Sequence, residues 1–187
     1  LATKQGAPAL RGAADMHVGM SELYREYNDL NAAEKHLLKS KELGELNGLP
    51  KNPYRWRVAM AQIREVQGTL DGALELLDEA ESLYMSDFSP NVRPTLALKA
   101  RVWIRQGELE KALDWARERK LSIAEEPSYL REFEQITFVR ILLAQYQSDH
   151  SDNLLDDAIR FLERLLKAAD EGGRVGSVIE ILSLQAL

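Results

Sequence analysis

A ten-residue phrase recurs along the chain at intervals of 39 to 46 residues. In each copy a turn-forming residue stands first, an apolar residue third and an alanine sixth. The copies are NDLNAAEKHL (28–37), GTLDGALELL (68–77), GELEKALDWA (107–116) and, more loosely, NLLDDAIRFL (153–162). A period of this length is typical of stacked helical pairs, in which each pair buries its apolar face against its neighbours. The sequence therefore predicts a binding surface rather than a catalyst.

Two positions of the phrase have clear structural roles. The alanine at the sixth position removes side-chain bulk where two helices cross, so that the helices can approach closely. It occurs at Ala33, Ala73, Ala112 and Ala158. The first position follows the preceding helix, where a left-handed backbone is favourable only for glycine or asparagine. Asn28, Gly68 and Gly107 occupy it, and each is predicted to terminate a helix.

The spacing of prolines and apolar residues predicts four helical pairs and part of a fifth. A proline fits the first turn of a helix, and asparagine or serine fits the N-cap. The predicted opening prolines are Pro8, Pro53, Pro90 and Pro127, and the predicted caps are Asn52 and Ser89. First helices are expected near residues 9–27, 54–67, 92–106 and 128–146, second helices near 32–46, 72–85, 109–119 and 154–169, and a ninth helix from about 175. No strand pattern competes, so the predicted class is all-α.

These pairs are predicted to form one domain over residues 1–187, because no loop is long or biased enough to separate two domains. The predicted repeats cover residues 8–50, 53–89, 90–124 and 127–171, with a partial repeat at 173–187. Since the chain starts without methionine and stops inside an amphipathic helix, we expect it to be an internal segment of a longer protein.

Composition excludes several classes of function. The formal net charge is −6, so the chain as a whole repels a phosphate backbone, and direct DNA contact is not expected. No apolar run approaches the roughly 18 residues of a membrane span. The chain contains no cysteine, which rules out disulfides and fits a reducing compartment, so we expect a cytoplasmic location.

The sequence offers no catalytic or metal-binding pattern. His17, His36 and His150 lie in different predicted helices or loops without paired-ligand spacing, so they are expected to be surface or structural residues. The Gly172-Gly173-Arg174-Val-Gly176 segment follows no strand and is interpreted as a turn between helices. No nucleophile stands beside a base, and no G-x-x-x-x-G-K-[ST] motif is present. The chain is therefore predicted not to be an enzyme and to hold neither metal nor cofactor.

Six longer phrases are more specific than the helical period. They are Tyr54-Arg-Trp-Arg-Val-Ala-Met-Ala61, Asp87-Phe-Ser-Pro-Asn-Val-Arg-Pro94, Arg101-Val-Trp-Ile-Arg-Gln-Gly107, Trp115-Ala-Arg-Glu-Arg119, Tyr129-Leu-Arg-Glu-Phe-Glu134 and Gly173-Arg-Val-Gly-Ser-Val-Ile-Glu-Ile-Leu182. Together they resemble the tetratricopeptide-like (TPR-like) region of large ATP-dependent LuxR-type regulators, relatives of the maltose activator MalT. The resemblance covers nearly the whole chain. It implies a right-handed superhelix, an α-solenoid of TPR-like helix pairs, although the usual TPR period is about 34 residues.

The resemblance also implies a place in a larger regulator. In that family a nucleotide-binding module lies upstream and a helix-turn-helix lies at the C-terminus, so ATP is expected only in an upstream domain. The middle region is the effector sensor. Its expected partners are a small-molecule inducer or a regulatory protein and the neighbouring domains of the same chain, with self-association as a further expectation.

First helices line the concave side in this architecture, and several of their polar residues project there. The predicted groove residues are Arg55, Trp56, Gln62, Glu65, Arg101, Arg105 and Arg140. Several arginines in a negatively charged chain would attract a carboxylate, a phosphate or an acidic peptide. The alternative is a solvated face of salt bridges, such as Arg101 with Glu108 or Glu65.

The three tryptophans have different predicted roles. Trp103 and Trp115 are predicted core residues, whereas Trp56 could either pack between repeats or form a stacking platform for a ligand.

A second hypothesis for the function is a TPR-type scaffold or adaptor. Adaptors that grip C-terminal carboxylates need a Lys/Asn clamp, and Val18 and Glu22 stand at the matching places in the first repeat. These residues disfavour that type of adaptor but leave other protein partners open.

Overall fold

The computed structural model describes residues 12–47, 49–85, 90–150 and 152–186, without the side chains of 45–47. These parts of the chain contain nine α-helices and no strand, which confirms the all-α prediction. The helices are α1 (Ala13–Glu26), α2 (Leu30–Asn47), α3 (Asn52–Val66), α4 (Leu70–Ser82), α5 (Thr95–Gln106), α6 (Leu109–Glu118), α7 (Glu132–Asp149), α8 (Asp152–Glu171) and α9 (Val175–Gln185).

The helices are distributed over two compact units. Unit 1 (Leu1–Ser86) contains the hairpins α1–α2 and α3–α4. Unit 2 (Asp87–Leu187) contains the hairpins α5–α6 and α7–α8, with α9 packed on α8. Within each unit successive hairpins touch, through α2 and α3 in unit 1 and through α6 and α7 in unit 2. Each unit thus buries its apolar surface between sequence neighbours, as tandem helical repeats do. The single domain and the superhelical path over all repeats stay predictions.

The recurring phrase has the predicted roles in the fold. All four of its alanines are completely buried at helix crossings, with 0% of their surface exposed. In the first three copies the backbone at the first position is left-handed, with φ of 58° at Asn28 and 80° at both Gly68 and Gly107, whereas Asn153 of the looser fourth copy lies inside α8. At Gly68 and Gly107 a β-carbon would be strained, so glycine ends the helix at little cost. Each tight turn then reverses the chain and lets the next helix pack on the previous one.

Three apolar cores are found, one within unit 1 and two within unit 2. In unit 1, Val18, Leu37 and Ile63 connect α1, α2 and α3. In unit 2 the first core joins α5, α6 and α7 around Trp115, with Trp103 packed against it. The second joins α7, α8 and α9 around Phe161. Trp103 and Trp115 therefore pack in the core, as predicted from the sequence.

Several predicted helix starts were wrong. Pro90 does not open α5, because Arg93 precedes a second proline, Pro94, and a residue before proline is disfavoured in the helical region. Pro94 itself stands at the N-cap of α5 with an extended backbone (φ −60°, ψ 141°). Asn52 is not an N-cap: it is the first residue of α3 after Lys51, and its buried side-chain amide donates to Ser40 Oγ at 3.3 Å. Pro53 does lie in the first turn of α3, as predicted.

The start of α7 also differs from the prediction. The helix begins at Glu132 rather than directly after Pro127, because the buried side chain of Gln135 satisfies the backbone of the preceding loop. Gln135 Oε1 accepts the Ser128 N–H at 3.1 Å, and Gln135 Nε2 donates to the Glu126 carbonyl at 3.0 Å. The predictions for Pro8 and Ser89 fall outside the residues that the structure describes.

Candidate functional site

Two of the predicted groove arginines meet in unit 2. Arg101 on α5 and Arg140 on α7 both contact Glu180 Oε1 on α9, Arg101 through Nη1 at 2.8 Å and Arg140 through Nη2 at 2.9 Å. We call Arg101, Arg140 and Glu180 the Glu180 junction. It connects three helices of unit 2 through a single carboxylate oxygen, so its geometry depends on the relative position of all three.

Arg101 is fixed by two further contacts. Its Nε–H donates to Thr137 Oγ1 at 2.9 Å, and the Thr137 hydroxyl in turn donates to the Phe133 carbonyl at 2.7 Å. The guanidinium carbon lies 3.8 Å from the centre of the Phe133 ring, within the range of a cation–π interaction. The side chains of the junction are 17 to 34% exposed, so solutes still have access to them. Arg101 is thus a preorganised cation that a carboxylate or phosphate could approach.

The remaining predicted groove residue of unit 2, Arg105, lies exposed in the last turn of α5. The other four lie on α3 in unit 1, so the predicted set divides between the two units. Arg55 Nη1 donates to Asp15 Oδ1 on α1 at 2.7 Å. Gln62 and Glu65 are half-buried. Arg55, Arg101 and Arg140 thus each bind a carboxylate of their own unit, which is the kind of pairing that the salt-bridge alternative predicts.

Trp56 is held as a structural residue. Its indole Nε1–H donates to the Leu37 carbonyl at 2.7 Å, and its ring packs against the core of unit 1. Lys41 Nζ lies 5.3 Å from the ring centre, so the chain itself supplies a cation for this aromatic face. These contacts favour the packing alternative for Trp56 over a stacking platform for a ligand.

A second ionic cluster surrounds the start of α7. Glu134, which is 2% exposed, accepts from Arg119 Nε at 2.7 Å and from Arg131 Nε at 3.2 Å. Its hydrogen bond raises the pKa of Arg119. Glu132 accepts from Arg174 Nε at 2.8 Å. Arg131 also donates to Glu125, and the Ser177 hydroxyl donates to Glu132 at 2.6 Å. Glu132 and Glu134, both at the start of α7, thus each bind an arginine from another part of unit 2.

Charged residues from four of the six longer phrases described in the sequence analysis bind one another. The phrase 115–119 supplies Arg119 and the phrase 129–134 supplies its partner Glu134. Glu132 of that second phrase binds Arg174 of the phrase 173–182. Glu180 of the same last phrase binds Arg101 of the phrase 101–107. Four separated phrases thus form one connected set of ion pairs in unit 2, which gives a physical reason why they occur together.

Sequence reasoning missed a histidine pair in unit 1. His17 Nδ1 on α1 and His36 Nδ1 on α2 lie 2.8 Å apart, and Tyr24 stacks on His36 with ring centres 5.2 Å apart. The two histidines are far apart in sequence and show no motif. The available signal was the predicted hairpin itself, because residues at similar distances from its turn at Asn28 come to face each other.

The histidine pair lies in an open depression of about 670 Å³. Two residues of α1 and six of α2 line it: His17, Tyr24, Ala32, Lys35, His36, Leu38, Lys39 and Glu42. Burial, followed by repulsion from His36 and Lys39, lowers the pKa of His17 below its ordinary value of 6.5. His17 therefore resists protonation in the folded chain.

The lowered pKa of His17 predicts a pH-dependent stability. As the pH falls, the unfolded chain binds the proton first, and this lowers the free energy of unfolding. The contribution of neutral His17 to that free energy is therefore complete above about pH 6.5 and is lost as the pH falls toward the lowered pKa of His17 in the folded chain. We expect His17→Gln to flatten the decline of the unfolding temperature between about pH 7.5 and 5.5. Thermal unfolding followed by circular dichroism measures it, with His150→Gln in unit 2 as the control. Parallel pH profiles for His17→Gln and the unsubstituted chain would contradict the prediction.

Neither a metal centre nor a membrane-spanning helix is found in the described parts of the chain. In the parts of the chain that the structure describes, no three histidine, aspartate or glutamate side chains are grouped so that they could hold a metal ion. None of the helices described is long and apolar enough to cross a bilayer.

Comparison with known proteins identifies the family. Neither the curated proteins nor the solved structures that were searched give a match. The family model described as the MalT-like TPR region matches residues 1–187, which is the whole chain. This match agrees with the tandem helical hairpins, the buried alanines of the repeat and the linked ion pairs of the longer phrases. The chain belongs to the MalT-like TPR family of α-solenoid helical repeats.

Proposed function

We propose that this chain is the non-catalytic, effector-sensing region of a LuxR-type, ATP-dependent transcriptional regulator that acts in the cytoplasm. The observation that carries the proposal is the match of the MalT-like TPR family over all 187 residues. In such a regulator ATP binds an upstream domain and a helix-turn-helix contacts DNA. This acidic chain would bind the inducer or a regulatory protein and transmit the signal to neighbouring domains.

The Glu180 junction supplies a mechanism for the sensing step. Its one carboxylate joins Arg101 and Arg140 and hence α5, α7 and α9. An acidic effector that binds the two guanidinium groups competes with Glu180 and favours an arrangement in which α9 is released from the junction. Because an effector shifts an equilibrium only by its different affinity for the two states, this exchange of carboxylates is the differential contact that the mechanism requires.

The site assignment predicts the effect of removing either arginine. We expect Arg101→Ala and Arg140→Ala each to weaken binding of an acidic effector about tenfold or more, since each removes a charge-assisted hydrogen bond. Calorimetric titration with a panel of organic acids, sugar phosphates and acidic peptides identifies the ligand and measures the loss.

The matched control is Arg117→Ala, which removes an exposed arginine of unit 2 that pairs only with the neighbouring Asp114 among the described residues. It should leave the affinity unchanged. If a confirmed effector binds Arg101→Ala and Arg140→Ala as tightly as the unsubstituted chain, the junction is not the effector site. The coding sequence on both sides tests the regulator class, which requires a nucleotide-binding module upstream and a helix-turn-helix downstream.

One observation favours the alternative of a protein-binding scaffold. Helix α1 and its C-cap residue expose four large apolar side chains at helical spacing: Met16, Met20, Leu23 and Tyr27, with Tyr27 81% exposed. Exposed apolar stripes of this kind are typical of protein interfaces. The carboxylate clamp of TPR adaptors stays disfavoured, because Val18 at one clamp position is completely buried. A stoichiometric partner whose binding is lost with Leu23→Asp would support the scaffold alternative, which includes self-association.

A further inference from the structure

We propose that the depression around His17 and His36 in unit 1 is a binding site for a small organic anion, a carboxylate- or phosphate-bearing metabolite, which binds together with a proton. We call it the histidine site. It lies in a different unit from the Glu180 junction and does not depend on the regulatory role proposed above, because anion binding here would hold for any protein with this hairpin.

The size and lining of the depression suit a small metabolite. Its volume of about 670 Å³ falls within the roughly 300 to 1,000 Å³ of typical ligand pockets. The lining combines apolar and aromatic surface, from Leu38, Ala32 and Tyr24, with a few polar groups from the two helices. This combination of an apolar wall and a small number of convergent polar groups is what binds and orients a small ligand.

The charges at the histidine site favour an anion. Among the described residues, four basic side chains line it and one acidic side chain does: His17, Lys35, His36 and Lys39 against Glu42. Glu42 is already bound by Lys39, whose Nζ lies 2.9 Å from Glu42 Oε2. Lys35 is exposed at the rim and forms no ion pair with any residue that the structure describes. A chain with a net charge of −6 thus has a local basic surface at this cavity.

The histidine pair couples binding to protonation. At an Nδ1–Nδ1 distance of 2.8 Å, one ring must donate its N–H to the lone pair of the other, so the pair can be neutral or carry one added proton. Two imidazolium rings would direct N–H groups at each other and lose this contact. An anion stabilises the singly protonated pair, so its binding is coupled to the uptake of a proton.

The surroundings of the pair fix its geometry and limit what else can titrate there. His36 lies between His17 and the stacked ring of Tyr24, so its imidazole is oriented before a ligand arrives. The titratable and charged groups facing the pair are Tyr24 on α1 and Lys35, Lys39 and Glu42 on α2, whereas no described residue of α3 lines the depression. No third metal ligand is grouped with the pair among the described residues, which favours an anion over a metal ion.

The test observes the histidines directly. The full chain with ¹³C-labelled histidine is titrated with citrate and, separately, with inorganic phosphate at constant ionic strength, near pH 6.5 and with a chelator present. We expect the ring resonances of His17 and His36 to shift saturably and the apparent pKa of the pair to rise. His150, which ends α7 in unit 2, serves as an internal reference and should not respond.

Variants on α2 give the specificity control. Lys35→Ala removes the lysine at the rim and should weaken citrate binding about tenfold. Lys41→Ala is the matched control, because Lys41 lies over Trp56 and does not line the depression. Arg101→Ala should leave the histidine response intact, which separates this site from the Glu180 junction. The proposal is overturned if neither anion shifts the two histidines more than His150, or if Lys35→Ala binds as tightly as Lys41→Ala. Binding of acidic peptides but of neither small anion would equally overturn it.

Discussion

Replacing Phe161 by alanine is expected to lower the free energy of unfolding of unit 2 by about 3–5 kcal/mol, the largest effect predicted for a single substitution in this chain. Phe161 on α8 is 1% exposed and lies in the core that joins α7, α8 and α9. Truncation removes the ring from the core that it shares with Ile136, Leu165 and Ile181 and leaves a cavity that helices fixed by their hairpin turns close only in part.

The expected loss is measured by urea unfolding of the full chain, followed by circular dichroism. Ile179→Ala on α9 is the matched control: it also removes a large apolar side chain from unit 2, but Ile179 is 60% exposed. The control should change the free energy of unfolding by no more than about 0.5 kcal/mol. A loss for Phe161→Ala no larger than that of Ile179→Ala would show that these three helices do not share a packed core.

The second large effect is expected for Ala112→Leu, which should destabilise unit 2 by about 1–3 kcal/mol. Ala112 is completely buried where α6 crosses α5, in contact with a core that includes Ala97 and Ala100. Three alanines at one crossing set a short distance between the helix axes, and a leucine there must either push the helices apart or adopt a strained rotamer.

The adjacent residue provides the control for Ala112→Leu. Lys111 lies on the same helix and is exposed, so Lys111→Leu introduces the same side chain without overpacking the crossing. Its exposed ion pair with Glu108 contributes little, so the free energy of unfolding should change by less than about 1 kcal/mol. Equal losses for the two variants would mean that the alanine of the repeat phrase has no special role in packing.

The repeat phrase predicted the hairpins well because its residues act over short distances. A left-handed turn needs glycine or asparagine at one position, and the residues at Asn28, Gly68 and Gly107 satisfy that need without reference to distant parts of the chain. The helix starts were predicted less well. At α5 a second proline, Pro94, sets the start, and at α7 the side chain of Gln135 satisfies the loop before the helix. At α5 a neighbouring proline and at α7 a side-chain hydrogen bond outweighed the general preference for proline in the first turn.

The candidate sites were predicted only in part. The register of the helical repeats directed attention to Arg101 and Arg140, but it did not indicate that both would share Glu180, which lies on a later helix. Trp56 was open to two interpretations until the hydrogen bond to the Leu37 carbonyl favoured packing. The histidine pair was not predicted, since two isolated histidines in different helices have no pattern of their own.

The sequence by itself determined the all-α class, the hairpins, the buried alanines and the MalT-like family, because these follow from local backbone preferences, helical periodicity and phrases within single elements. Only the tertiary structure decided which charges meet. The pairs at Glu180, Glu132 and His36 join residues 19 to 79 positions apart, and the chain offers 24 lysines and arginines and 30 aspartates and glutamates as alternatives. A charge has no preferred partner in sequence, so the packing of whole helices selects the partner.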